Sequence, residues 1–192
     1  MPDGYGDMTL SEWEAAGCPS PPPHAYKVRR VLEIAERLGI RRMLETGYGY
    51  GRMARDVVGK FDEFSSIERD DAAYLNATRE FKDDARVRLF LGDSSVLLPA
   101  IIMELDGPYL FWLDAHGADG SPVLSELEAV LSRGRAGDAD VVLVDDVRRM
   151  GNEPGWPTLE AVCSAFSGRR PGWVINVERD VITAHRPTNG GA

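Results

Sequence analysis

Residues 42–51 read RMLETGYGYG, a short apolar run that ends in an acid and passes into glycines at alternate positions, Gly47, Gly49 and Gly51. Glycines let a chain turn sharply and bring its backbone close to a ligand, and the free N–H groups of a following helix favour electron-rich groups. The stretch therefore predicts a strand over Arg42–Glu45, a tight turn, and a helix over Arg52–Lys60. Upstream, Val28, Val31, Leu32, Ala35 and Leu38 recur at helical spacing, with Gly39 as the stop.

Downstream the same alternation continues. Strands are expected at Phe64–Glu68, Val87–Leu91, Tyr109–Leu113 and Val141–Val144, with helices at Asp71–Phe81, Ser94–Leu105, from Ser121-Pro122 through Leu131, and Leu159–Phe166. Two closing strands, Trp173–Val177 and Val181–Ala184, are separated only by Glu178-Arg179-Asp180. The strands are uniformly apolar rather than alternating, which implies a mostly parallel sheet covered by helices on both faces. The expected fold is thus α/β, a doubly wound Rossmann-like sheet of about seven strands with an antiparallel final strand. Residues 1–24 are expected to be an N-terminal extension and 25–192 one domain. In the extension Thr9 and Glu12 can cap a short helix, Pro21-Pro22-Pro23 forces an extended connector, and Trp13 with Tyr26 would let it act as a lid over the site.

The 192 residues are 43% apolar and 28% charged, an ordinary globular mix that excludes a largely disordered or fibrous chain. A chain of this length buries roughly 70% of its unfolded surface, so it needs no disulfide to fold. Thirty-one acids against 22 Lys and Arg give a net charge of −9, which argues against nucleic acid or an anionic membrane as partner. Cys18 and Cys163 read as two reduced thiols. The N-terminal stretch carries acids where a secretory signal has a basic start, and no apolar run spans a bilayer, so a cytoplasmic protein is expected. Its partner is expected to be a small-molecule substrate; the oligomeric state is open, a homodimer included.

Ligands of doubly wound sheets bind beyond the carboxyl ends of the strands, so the polar residues there carry the function. Gly49-Tyr50-Gly51-Arg52-Met53-Ala54 formally satisfies the dinucleotide pattern G-x-G-x-x-A, and a purely structural turn is a third reading. Glu45, just before the first glycine, would repel a diphosphate and suit a ligand carrying an amine or sulfonium. Glu68, at the end of the second expected strand, can accept ribose hydroxyls. Asp93, at the end of the third, can cap the next helix or accept an adenine amino group.

E-T-G-Y-G-Y-G, the acid at the second strand end and G-D-S at the third resemble the class I S-adenosylmethionine (SAM)-dependent methyltransferases, over roughly Tyr26 to Arg186. The resemblance implies SAM as cofactor. It places Glu45, Gly47, Gly49 and Gly51 under the methionine portion, Glu68 on the ribose and Asp93 near the adenine, with Thr46, Tyr48, Ser94 and Asp114 completing the cofactor contacts.

The fourth strand closes with Asp114-Ala115-His116 and the fifth with Asp145-Asp146. Neighbouring strands lie about 4.8 Å apart, so three carboxylates and an imidazole would share one small volume. Acids so close repel unless protons or a cation offset them, and a hard divalent ion such as Mg²⁺ is the simplest answer. The arrangement resembles the divalent-metal-dependent O-methyltransferases of the catechol type and those acting on antibiotic sugars, which implies Asp114, Asp145 and Asp146 as metal ligands. The catechol type also has a lysine shortly after its first acid; this chain has His116 there. Asp114 and His116 are the candidate catalytic residues, His116 as the base. O-methylation of a small-molecule hydroxyl, on a sugar or natural product, is the expected activity. The alternatives are an NAD-dependent oxidoreductase, a metal-assisted hydrolase and a non-catalytic cofactor-binding module. Arg148 and Arg149 follow the acid pair closely enough to reach an anionic acceptor.

Overall fold

A computed structural model describes residues 8–187; the first seven residues of the expected extension and the last five of the expected domain lie outside the described residues. Seven strands form one sheet: β1 (Arg42–Thr46), β2 (Glu63–Glu68), β3 (Val87–Leu91), β4 (Leu110–Leu113), β5 (Val141–Val144), β6 (Val174–Glu178) and β7 (Val181–His185). Their order is β3-β2-β1-β4-β5-β7-β6. The first five pair in parallel, and β7 runs antiparallel to both β5 and β6. This is the expected mostly parallel, doubly wound sheet.

The uniformly apolar strands follow from two cores. Alternate residues of a strand point to opposite faces. On one face Met43, Leu110, Trp112, Val141 and Leu143 meet helices α2 (His24–Leu38) and α3 (Arg52–Val57). On the other, Leu44, Phe111, Leu113, Val142 and Val144 meet α5 (Ser94–Ile101), α6 (Val123–Leu131) and α7 (Leu159–Arg169). The remaining helices are α1 (Leu10–Ala15) and α4 (Asp71–Glu80). Edge strands β3 and β6 are largely half-buried or exposed, because only one flank has a neighbour.

Element ends differ from the expectation where glycine or tight turns intervene. The helix expected to run to Lys60 stops at Val57 and tightens into a 3₁₀ turn around Gly59, and the one expected to reach Leu105 stops at Ile101 with a 3₁₀ turn to Glu104. β6 begins one residue later than expected. Its turn to β7 is Arg179-Asp180, both left-handed (φ 50° and 81°), the geometry that matches the twist of a two-residue hairpin.

The N-terminal stretch is docked rather than loose. Thr9 and Glu12 form the expected capping box at α1. Trp13 is 2% exposed, its ring 5.1 Å from Tyr26, and its indole N–H donates to Pro19 O at 2.8 Å. Trp13→Ala should therefore lower the unfolding free energy by about 3 kcal/mol or more in denaturant titrations. A change within about 0.5 kcal/mol, the range of ordinary surface substitutions, would show α1 to be a mere appendage.

Candidate active site

A cavity of about 820 Å³ opens across the carboxyl ends of β1, β2, β3 and β4. It lies where the strand order reverses, between β1 and β4, the usual ligand position in such sheets. One half is walled by the glycine turn, Glu68, Asp93 and Ser94; the other by Asp114, His116 and the start of α2 with Lys27.

The turn is shaped by close backbone approach. Gly47 has φ +83°, and a Cβ there would stand 3.0 Å from Ala115 Cα and from Asp114 O. Gly51 has φ +69°, and a Cβ would enter the Tyr48 ring. Tyr48 is buried, stacked edge-on against Phe81, with its hydroxyl donating to Glu80 at 2.8 Å. Its side chain thus braces the turn, while Tyr50 is exposed.

Glu68 fixes that turn. Its Oε2 accepts from Gly49 N at 2.7 Å and its Oε1 from Asp70 N at 2.8 Å. Asp93 is the N-cap of α5: its Oδ1 accepts from Ser95 N at 2.8 Å and Ser95 Oγ at 2.6 Å, which holds its carboxyl below the usual range. It lines the cavity as well, so capping and ligand contact are compatible. Glu45 and Glu68 share one face of the sheet through the register of β1 and β2. Glu45 and Thr46 are fully buried beneath the turn and do not line the cavity. Burial drives the Glu45 carboxyl up to about 8, although Ser66 Oγ donates to it at 2.9 Å.

β4 and β5 are neighbours, as the acid cluster requires, and Asp114 and Asp145 stand side by side one residue beyond Leu113 and Val144. The cluster is offset by cations of the chain itself. Lys27 Nζ lies 2.5 Å from Asp145 Oδ2 and 3.7 Å from Asp146 Oδ1. Arg148 Nη1 lies 2.7 Å from Asp146 Oδ1, and Arg149 Nη1 3.4 Å from Asp146 Oδ2. Arg148 also pairs with Asp180 of the β6–β7 hairpin, whose Oδ1 accepts Arg148 N at 2.6 Å. Asp146 itself adopts a left-handed backbone (φ 61°), rare outside glycine and common at functional turns.

The proton affinities follow from this mixture. Burial, and then the Asp145 charge, raises Asp114 well above the usual carboxylate value. Burial also raises Asp145, with the Lys27 ammonium pulling it back. For Asp146 burial is outweighed by Lys27 and Arg148, and its carboxyl is lowered. Burial would discharge Lys27, but Asp145, Asp114 and Asp146 overcome it and keep the ammonium charged. His116, 5.7 Å from the Trp156 ring, is lowered by burial against the pull of Asp146, so its imidazole is neutral at pH 7.

These donors do not suit the expected magnesium ion. Asp145 Oδ2 faces Lys27, its Oδ1 accepts Asp146 N at 2.8 Å, and both Asp146 oxygens face arginines. Asp114, His116 and Asp146 do offer ligand atoms within 4.8 Å of one another, as do Asp145, Asp146 and Asp180, but the expected trio Asp114, Asp145 and Asp146 is not one of those groups. Each group contains Asp146, already paired with two guanidinium groups. A hard dication needs those lone pairs, and it would sit beside like charge.

Three participants escaped the sequence reading. Lys27 lies 118 residues from Asp145, and its one local signal is a cation in the first turn of a helix, where the dipole disfavours it. Asp180 reaches Arg148 only through the hairpin. Glu126 of α6 is fully buried, and neither oxygen has a partner at hydrogen-bond geometry among the described residues. Burial raises it to about 7 even though the nearby Ser94 and Thr46 hydroxyls favour its charge.

The sequence matches no protein-family model and no curated protein. The structure is similar to the O-methyltransferase from Bacillus cereus in complex with SAH (16% identity, 92% of this chain and 88% of that one, TM-score 0.63). It is similar too to the O-methyltransferase TomG from Streptomyces achromogenes, involved in tomaymycin synthesis, in complex with SAM (17%, 91% and 86%, 0.62). A third likeness is to the SAH-bound methyltransferase PaMTH1 of Podospora anserina (19%, 84% and 78%, 0.60). At these identities the likeness shows the fold alone, one that this chain shares with those methyltransferases.

The raised Glu45 value has a consequence for stability. Its folded value, about 8, exceeds the ordinary 4.5, so its contribution is complete below about pH 4.5 and is lost as pH rises toward 8. Glu45→Gln should remove this slope. The variant's stability, measured by chemical unfolding at several pH values, should gain on the natural protein by a few kcal/mol between about pH 5 and 8. Parallel pH curves for the two would contradict the burial of an acid there.

Proposed function

We propose that the protein is a SAM-dependent methyltransferase acting on a hydroxyl group of a small molecule. The observation that carries this reading is the cavity at the strand-order reversal, walled by the glycine turn with Glu68 and Asp93 on one side and by Asp114 and His116 on the other. The turn fits such a cofactor: Gly47, which leaves no room for a side chain between the β1 end and Asp114-Ala115, presents bare backbone to the cavity. The cavity is also within the usual range for a cofactor-sized ligand, roughly 300–1,000 Å³.

Charge favours this cofactor over a dinucleotide. Glu68, Asp70, Asp93, Asp114 and Asp119 line the cavity against Lys27, Arg52 and Arg69, an acidic excess that suits a cationic ligand better than a diphosphate. When bound, the cofactor supplies an activated methyl group on sulfur: the new O–C bond forms as the C–S bond breaks, and the electron pair stays on sulfur in S-adenosylhomocysteine. The chain's residues orient and exchange protons. Glu68 holds the turn through Gly49 and Asp70, and placement is the main catalytic contribution in such transfers. Neutral His116 takes the hydroxyl proton of the acceptor. Protonation at Nε2 puts the new charge 3.7 Å from Asp146 Oδ2, which stabilises it.

Calorimetric titration with S-adenosylhomocysteine should show binding, and NADH should not displace it. Glu68→Ala should weaken binding at least about tenfold, the scale of a lost charge-assisted hydrogen bond. Absence of S-adenosylhomocysteine binding to the natural protein would sink the proposal.

A further inference from the structure

Lys27 stands where its helix does not want it. It occupies the first turn of α2, which holds no acid, and the free N–H groups there repel a cation. Its position is set by the sheet: the ammonium lies against Asp145 and beside Asp146, with the side chain only 15% exposed. It also lines the cavity next to Asp114 and His116, whereas Asp145 and Asp146 stand behind it and do not. The cavity therefore meets Asp145 through Lys27, and Asp146 through Lys27 and His116.

The charges close without a dication. Asp145 faces Lys27, Asp146 faces Lys27, Arg148 and Arg149, and Asp180 faces Arg148, while Arg149 also pairs with Glu153 at 2.8 Å and Asp114 faces the cavity, so each acid behind Lys27 already has a cation of the chain beside it. We propose that the Lys27 ammonium takes the place expected for a divalent ion, so that this chain carries its own cation and works without metal. On the methyltransferase reading, from which this follows, Lys27 is the positioning residue of the acceptor half. It favours an acceptor whose oxygen gains negative charge as its proton leaves, such as a phenol or another acidic hydroxyl, since an ammonium strengthens its contact with oxygen as that charge develops. A cation of fixed position does this without the ligand exchange a metal requires.

Manganese binding, read by paramagnetic resonance and calorimetry, tests the substitution with no acceptor in hand. The natural protein should bind no Mn²⁺ below about millimolar concentration, and S-adenosylhomocysteine affinity should be the same within about twofold in EDTA or in Mg²⁺. Lys27→Met should gain a Mn²⁺ site that Asp146→Asn added to it abolishes, and Lys27→Arg, which keeps the charge, should gain none. Binding of Mn²⁺ by the natural protein below about 100 µM, lost in Asp146→Asn, would overturn the proposal. So would a folded Lys27→Met that gains no Mn²⁺ site. Should Lys27→Met fail to fold, the natural protein's own titration decides. Failure of S-adenosylhomocysteine to bind would instead strike the methyltransferase reading, leaving the manganese result to judge Lys27 separately.

Discussion

Gathering carboxylates at the buried ends of two adjacent parallel strands is costly, and much of this structure is arranged around offsetting that cost. Asp114 and Asp145 are forced together by the pairing of β4 with β5, and Asp146 and Asp180 join them. The compensating cations come from two distant parts of the chain, Lys27 from the start of α2 and Arg148 and Arg149 from the turn after β5, with Asp180 of the closing hairpin steering Arg148. Removing one partner from such a group strands a buried charge, and these contacts tie α2, the central strands and the final hairpin together.

The donor half relies on backbone rather than charge. The turn after β1 passes so close to Asp114 and Ala115 that a side chain at Gly47 has no place, and Tyr48 folds back to fill the space against Gly51. Glu68 then locks the turn by accepting from Gly49. Glu45, beneath the turn, is held above the usual carboxylate range because burial outweighs the hydrogen bond from Ser66.

Much of this was legible along the chain. The glycine turn, the strand-end acids and the alternation of apolar runs depend on residues close in sequence, where period and spacing speak directly. The capping box at Thr9, the stop at Gly39 and the seven strands all appear where local chemistry puts them. Ends slipped where glycine tightened a helix, at Gly59, or where a hairpin needed two left-handed residues, at Arg179-Asp180. The acid cluster was foreseen, but its counterion was not: an inorganic ion is the economical answer when only neighbouring residues can be weighed, and Lys27 is remote.

Sequence alone determined the alternating α/β order, the two-sided burial of the strands and the acids at their ends, because each follows from side-chain period and turn chemistry within a few residues. Tertiary structure alone decided which charges meet. Coulomb attraction and desolvation act through space over a few ångströms, and only the sheet order and the path of α2 bring Lys27 to Asp145, or Asp180 to Arg148.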